Sequence, residues 1–169
     1  MAELGYFGLI FSPDYGGSGL DTLSMALVTE ELSRAWLSVG SVMTRMLITG
    51  TLIEANGTPE QKKEWLPKLS SGEILAAAAF TEPSAGSDAA AVRTKAEKNG
   101  SKFLVTGEKA WCTFANRAHV LCTMVRTDPS QPRHKGLSIL LVPKPGDAFD
   151  PPPAFRRPHP HHWIQGDEF

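Results

Sequence analysis

The sequence predicts an α+β fold, with a helical first part followed by an antiparallel β domain. Three observations carry this prediction. Apolar residues recur at intervals of three and four through the first part of the chain, the pattern turns to period two beyond Pro83, and Asn99-Gly100 separates two extended arms in the manner of a tight hairpin. With 169 residues and 41% apolar composition, there is material for one modest core or two small ones.

The elements follow in order. "FSPDYGGSG" at 11–19 is a turn-rich loop, after which Asp21 is placed to cap a helix whose apolar face is Met25, Val28, Leu32 and Ala35. A longer helix carries Val39, Val42, Met43, Met46, Leu47, Gly50 and Ile53, and Asn56 with Gly57 is expected to end it in the left-handed conformation. In "TPEQ", Thr58 suits the cap, Pro59 the first helical position and Gln61 the reciprocal side of a capping box. That helix carries Trp65 and is expected to stop at Pro67. The helical domain is assigned to residues 1–72 and the β domain to 73–150. The alanine run 76–79 alone is compatible with helix. "VRTKAEKNGSKFLVTGEKAW" reads as a hairpin, and "HVLCTMVRT" and "GLSILLVPK" as two strands separated by the solvated loop "DPSQPRHK".

Composition excludes several function classes. Seventeen basic and eighteen acidic residues leave no net field to attract nucleic acid or an anionic membrane. The longest apolar runs are far below the roughly 20 residues of a membrane span. The start, "MAELGYFGL", has no basic region ahead of an apolar segment, so no secretory signal is expected. Cys112 and Cys122 read as a reduced, packed pair in segments that read as strands. His159, His161 and His162 have no acidic or thiolate partner at ligand spacing, and no metal site is assigned.

Two stretches could carry chemistry. In "FTEPSAGSD", residues 80–88, Ala85 and Gly86 permit close backbone approach to a ligand, while Thr81, Ser87 and backbone N–H groups offer donors to oxygen atoms of a phosphate. The alternative is an ordinary loop with Ser84 and Asp88 as caps. In "KAWCTFAN", residues 109–116, Trp111 and Thr113 lie two apart, on one side of a strand, and so offer a flat apolar surface beside a hydroxyl. That pairing suits a planar heteroaromatic ring. It also suits a core tryptophan next to a strand threonine.

Order and spacing add to this. The blocks "GYFGLIFSPDYGGSGLD", "LVTEELSRA", "GTPEQKKEWLPKLSSGEILAAAAFTEPSAGSD", "TKAEKNGSKFLVTGEKAWCT" and "GLSILLVPK" resemble the acyl-CoA dehydrogenase family over about residues 1 to 148. The resemblance implies a partial acyl-CoA dehydrogenase-like fold, with the helical N-terminal domain and an incomplete middle β domain. In that family these domains and a C-terminal four-helix bundle clasp FAD and a fatty acyl thioester of coenzyme A. Carried onto this sequence, Ala78, Ala79, Phe80 and Thr81 would run along the cofactor, with Thr81 at the isoalloxazine edge. Gly86 and Ser87 would lie by the pyrophosphate, and Ser87 would also touch the thioester substrate. Trp111 would flank the flavin and Thr113 would bond N5, with Cys112 facing outward between them where relatives carry an aliphatic residue.

The implied reaction is α,β-dehydrogenation, in which a carboxylate removes the α-proton as the β-hydrogen leaves as hydride to the flavin. The family's catalytic glutamate lies in the bundle, so no residue of this chain is assigned that role. Glu82 and Asp88, beside a proline and in a turn, read as a cap or a solvent contact. The isolated chain is therefore expected to bind FAD weakly and not to turn over acyl-CoA. The resemblance further implies an electron-transferring flavoprotein as acceptor, a homo-oligomer in the full-length parent, a role in fatty acid metabolism, and a bacterial cytoplasmic or eukaryotic mitochondrial matrix location. Rival readings are a same-fold flavin oxidase or monooxygenase fragment and a non-catalytic interaction fragment.

The tail, 151–169, departs from the family. Shifting "PHPHHWIQGD" by one nucleotide permits Pro-Ile-Pro-Thr-Ile-Gly-Tyr-Lys-Gly-Met, closer to the family's next β segment, so the tail is expected to be out of frame or disordered.

Overall fold

The structure is a computed structural model that describes residues 1–144 and the backbone of residues 161–164. The chain divides into two compact units, Met1–Ala76 and Ala77–Phe169. In the first, α1 (Thr22–Ala35), α2 (Leu37–Asn56) and α3 (Pro59–Ser71) follow two short 3-10 turns at Tyr6–Gly8 and Pro13–Tyr15. Asp21 caps α1, its Oδ1 accepting from the Ser24 amide at 2.8 Å. The capping box of α3 is complete: the Gln61 amide donates to Thr58 Oγ1 at 3.3 Å, and the Thr58 amide to Gln61 Oε1 at 2.9 Å. These contacts satisfy N–H groups that a helix start otherwise leaves open.

Two helix ends differ from expectation. α2 stops at Asn56, but Gly57 is extended (φ −72°, ψ 156°), not left-handed. Glycine is needed there for another reason: a Cβ would lie 2.6 Å from the Ile53 carbonyl oxygen. α3 continues past Pro67 to Ser71 and ends on the left-handed Gly72 (φ 75°). The proline forfeits one backbone bond, while Leu66 and Leu69 on either side of it are fully buried and hold the turn together. The helical core gathers Phe7, Leu9, Phe11, Met43, Met46, Leu47, Ile53, Leu66 and Leu69. Gly50 admits the Phe11 ring, which a Cβ would meet head-on. Every residue of α1, in contrast, is at least partly exposed, with Leu23, Leu27, and beyond its end Trp36 and Leu37, open to solvent.

The second unit is built on a sheet ordered β1-β4-β2-β3-β6, with β5 paired to β4. The strands are β1 (Ala76–Ala79), β2 (Lys95–Asn99), β3 (Lys102–Ala110), β4 (Val120–Arg126), β5 (Leu137–Pro143) and β6 (His161–Ile164). The alanine run is thus strand, with the alternation buried, half-buried, buried over Ala77, Ala78 and Ala79. The hairpin joins β2 to β3 with Asn99 opposite Lys102, so its two turn residues are Gly100 (φ 62°) and Ser101, one position beyond the expected dipeptide. The sheet is mixed, since β2 meets β4 in parallel at Lys95 and Arg126 while β4–β5 and β2–β3 are antiparallel. A core of Ala77, Ala79, Ala96, Val105, Cys112, Ala115, Ala118, Leu121, Val125 and Val142 packs beneath it.

The backbone of His161–Ile164 pairs antiparallel with β3, Gly107 opposite Ile164 and Ala110 opposite His161. Apart from these four positions in strand, the expectation of a loose or out-of-frame tail lies outside the described residues. Among the described residues no helix is long and apolar enough to cross a membrane.

Candidate functional site

The β1 strand ends at Ala79, and the chain then makes a tight turn in which the Glu82 amide donates to the Ala85 carbonyl at 2.8 Å and the Ala85 amide returns to Glu82 at 3.1 Å. Pro83 and Ser84 form its exposed tip. Gly86, Ser87 and Asp88 follow, all exposed, and a Cβ at Gly86 would meet nothing within 4 Å. Ala85, expected to let the backbone approach a ligand, is buried and seals the turn from beneath.

The second stretch also differs in shape from its prediction. β3 ends at Ala110, and Trp111 enters the left-handed region at φ 58°, as does Phe114 at φ 74°. A left-handed backbone is uncommon for a bulky side chain. Thr113 therefore lies in a turn, its amide donating to the Trp111 carbonyl at 2.9 Å, and not on a continued strand. The turn still exposes both side chains: Trp111 is 69% exposed and Thr113 is open. Cys112, expected to face outward in a strand, is buried in the sheet core. Its thiol donates to the Ala110 carbonyl at 3.7 Å, which leaves its backbone as the part that can meet a ligand.

Two bonds to main-chain carbonyls join these stretches. The Ala110 amide donates to the Thr81 carbonyl at 2.9 Å, and Lys109 Nζ donates to the Phe80 carbonyl at 3.0 Å. Thr81 is thereby held beside the root of the Trp111–Thr113 turn. Of the nine candidate positions, Gly86, Ser87, Trp111 and Thr113 are exposed, Ala78, Phe80 and Thr81 are half-buried, and Ala79 and Cys112 turn inward. The donor set is an indole, three hydroxyls and main-chain amides. That chemistry fits a large neutral heteroaromatic ring carrying a phosphate chain.

Glu82, read as a cap or a solvent contact, is buried and accepts from backbone amides of a distant segment. Its Oε1 accepts from Lys109 Nζ at 3.0 Å, the Thr94 amide at 2.8 Å and the Thr94 hydroxyl at 2.6 Å, and its Oε2 accepts from the Arg93 amide at 2.8 Å. Burial pushes the carboxyl up, but the Thr94, Arg93 and Lys109 hydrogen bonds outweigh it and hold Glu82 below its ordinary value. Lys109, 1% exposed, is pulled below the ordinary lysine value by burial, with Glu82 opposing. The sequence does hold a signal for this pair. In β3 the inward parity of Val105 runs through Gly107 to Lys109, and a lysine on a core face requires acceptors. The Trp111–Thr113 turn has a parallel support. Lys144 Nζ donates to the Ala115 and Asn116 carbonyls at 3.1 and 2.8 Å. Burial, helped by the like charge of Arg117, lowers its proton affinity.

Comparison with known proteins shows the family. Residues 1–73 match the acyl-CoA dehydrogenase N-terminal domain and residues 77–167 the acyl-CoA dehydrogenase middle domain. The chain belongs to the acyl-CoA dehydrogenase family. The (2S)-methylsuccinyl-CoA dehydrogenase of Cereibacter sphaeroides is 49% identical over 155 residues, spanning 91% of this chain and 28% of that protein. Mitochondrial isovaleryl-CoA dehydrogenase of Pongo abelii is 39% identical over 146 residues, 85% of this chain and 34% of that protein. Among solved structures, glutaryl-CoA dehydrogenase of Mycobacterium smegmatis in complex with FADH2 superposes with TM-score 0.76 at 32% identity, over 85% of this chain and 36% of that one. The chain thus spans about a third of the length of the relatives it matches.

Among the described residues no group of three or more His, Cys, Asp or Glu is placed to hold a metal ion. His159 lies outside the described residues, and of His161 and His162 the structure describes the backbone in β6.

Proposed function

We propose that this chain is the N-terminal and middle part of an FAD-dependent enzyme that dehydrogenates acyl-CoA thioesters between the α and β carbons. The observation that carries the reading is the juxtaposition of the Thr81–Ser87 turn with the exposed Trp111 and Thr113, joined by the Ala110–Thr81 hydrogen bond. Bound there, FAD would supply a hydride acceptor. The chain's own residues would position it: Trp111 by covering the ring, Thr113 and Thr81 by donating hydroxyl hydrogen bonds to its polar edge, and the amides around Gly86 and Ser87 by meeting the pyrophosphate. Ala78, Ala79, Phe80 and Cys112 would line the approach mainly through their backbone. Ser87 is also the residue assigned to the thioester substrate. No residue of the chain is assigned as the base that takes the α-proton.

The family membership supports an electron-transferring flavoprotein as redox partner, assembly with further copies in the full-length protein, and a cytoplasmic or mitochondrial matrix setting. A second reading, a non-catalytic interaction fragment, draws on the leucines and Trp36 exposed on and beside α1. Elution as a flavin-free hetero-complex in size-exclusion chromatography would favour it.

The test is a titration of the purified chain with FAD, followed by flavin fluorescence. Saturable binding is expected, weakened at least tenfold by Trp111→Ala and by Thr113→Val. Binding indifferent to both substitutions, or no binding, would defeat the site.

A further inference from the structure

The Glu82–Lys109 pair lies behind the candidate surface, and its connections run to that surface from both sides. Lys109 and Ala110 are successive residues of β3, and they grip the successive carbonyls of Phe80 and Thr81. One residue further along each segment stand Glu82 and Trp111. The Glu82 carboxylate closes the frame by fixing Arg93 and Thr94, where the chain enters β2. We propose that Glu82 and Lys109 are positioning residues, which set the distance between Thr81 and the Trp111–Thr113 turn and thereby the fit of the flavin ring. This rests on the flavin reading above.

The physical case is one of specificity over stability. A buried ion pair is commonly no more stabilising than apolar side chains of similar volume, because desolvation consumes its Coulombic gain. What it adds is geometry, since each oxygen and proton accepts a partner in one direction. Here the directions are fixed by five bonds, four to Glu82, one of them from Lys109, and one more from Lys109 to Phe80, with both side chains nearly inaccessible. The ammonium at the Phe80 carbonyl also polarises the Phe80–Thr81 peptide, which strengthens the Thr81 amide as a donor.

The experiment uses the full 169-residue chain labelled with 5-fluorotryptophan, the Trp111 fluorine resonance being assigned by its loss in Trp111→Phe. Lys109→Met, Glu82→Gln and the apolar pair Glu82→Leu with Lys109→Met are compared for urea stability, Trp111 resonance and FAD affinity. In the apolar pair, stability is expected to return towards that of the unmodified chain. The Trp111 resonance stays displaced and the FAD dissociation constant stays raised at least tenfold. An apolar pair with native resonance and native affinity overturns the proposal, and so does an apolar pair that fails to fold, since the role would then be the fold itself. If the unmodified chain gives no saturable FAD response, the flavin reading falls on its own. The Trp111 resonance of the variants, recorded without FAD, still decides the role of the pair.

Discussion

The turn at 80–88 hangs from a carboxylate, whereas in the turn at 111–117 it is main-chain carbonyls that accept from a buried lysine. Glu82 points inward from the first and gathers Lys109, Thr94 and Arg93. In the second, Lys144 reaches in from the end of β5 to Ala115 and Asn116. Their backbones differ as well. The first turn reaches its exposed Gly86 and Ser87 without positive φ, while the second holds Trp111 and Phe114 in the left-handed region. Residues held there cost about 1–3 kcal/mol each and persist only where their surroundings fix them. One turn is thus held by a carboxylate and is unstrained, the other carries backbone strain that the Lys144 ammonium ties down, and both present polar side chains outward.

Substitutions that separate the two supports make this contrast testable. The largest loss is expected for Lys109→Met, which strands the Glu82 carboxylate, at about 3–5 kcal/mol in urea unfolding. A loss below about 1 kcal/mol would show that the first turn does not depend on charge. Lys144→Met is expected to cost less, about 2 kcal/mol, since it leaves carbonyls and not a carboxylate without its cation. Its effect should fall on the Trp111 environment, read by indole fluorescence, before the 80–88 turn responds. Acid supplies the third comparison. Glu82 has its folded pKa below the ordinary glutamate value of 4.5, so its contribution is fully present above that value and lost as pH falls through the lower folded pKa. Asp21, whose carboxyl the Ser24 hydroxyl and amide also hold low, loses stability with the same sign. The difference between the unmodified chain and Lys109→Met isolates Glu82: without the cation its folded pKa rises towards the ordinary value, so the part of the acid loss that belongs to Glu82 should shrink. The smallest effect on stability is expected for Gly86→Ala, within about 0.5 kcal/mol, because its Cβ enters open space. If that alanine also leaves FAD affinity unchanged, the pyrophosphate is not held at this glycine.

What the sequence discloses is local chemistry. The Asp21 cap and the Thr58–Gln61 box are read correctly because donor and acceptor lie within one turn of each other. Errors arise where a distant partner outweighs the local rule. Pro67 should end α3, but burial of Leu66 and Leu69 carries the helix on to Gly72. Glu82 reads as a cap or a solvent contact, but its lysine stands 27 residues away in β3. The strand predicted through Thr113 breaks at Trp111, and nothing in "KAWCT" marks a left-handed tryptophan. At the candidate surface Ser87, Gly86, Trp111 and Thr113 are exposed. The inward turn of Cys112 bears out its reading as a packed thiol and overturns the outward position that the resemblance implies, because period two ends where the strand does.

Burial of both thiols makes the sheet unit its own chemical clock. Cys112 sits in the core and Cys122 is fully enclosed in β4, so a water-soluble alkylating reagent can reach either sulfur only when that part of the chain opens. The modification rate of each cysteine therefore reports how often its own neighbourhood comes apart. Cys112, at the root of the strained turn, should react ahead of Cys122.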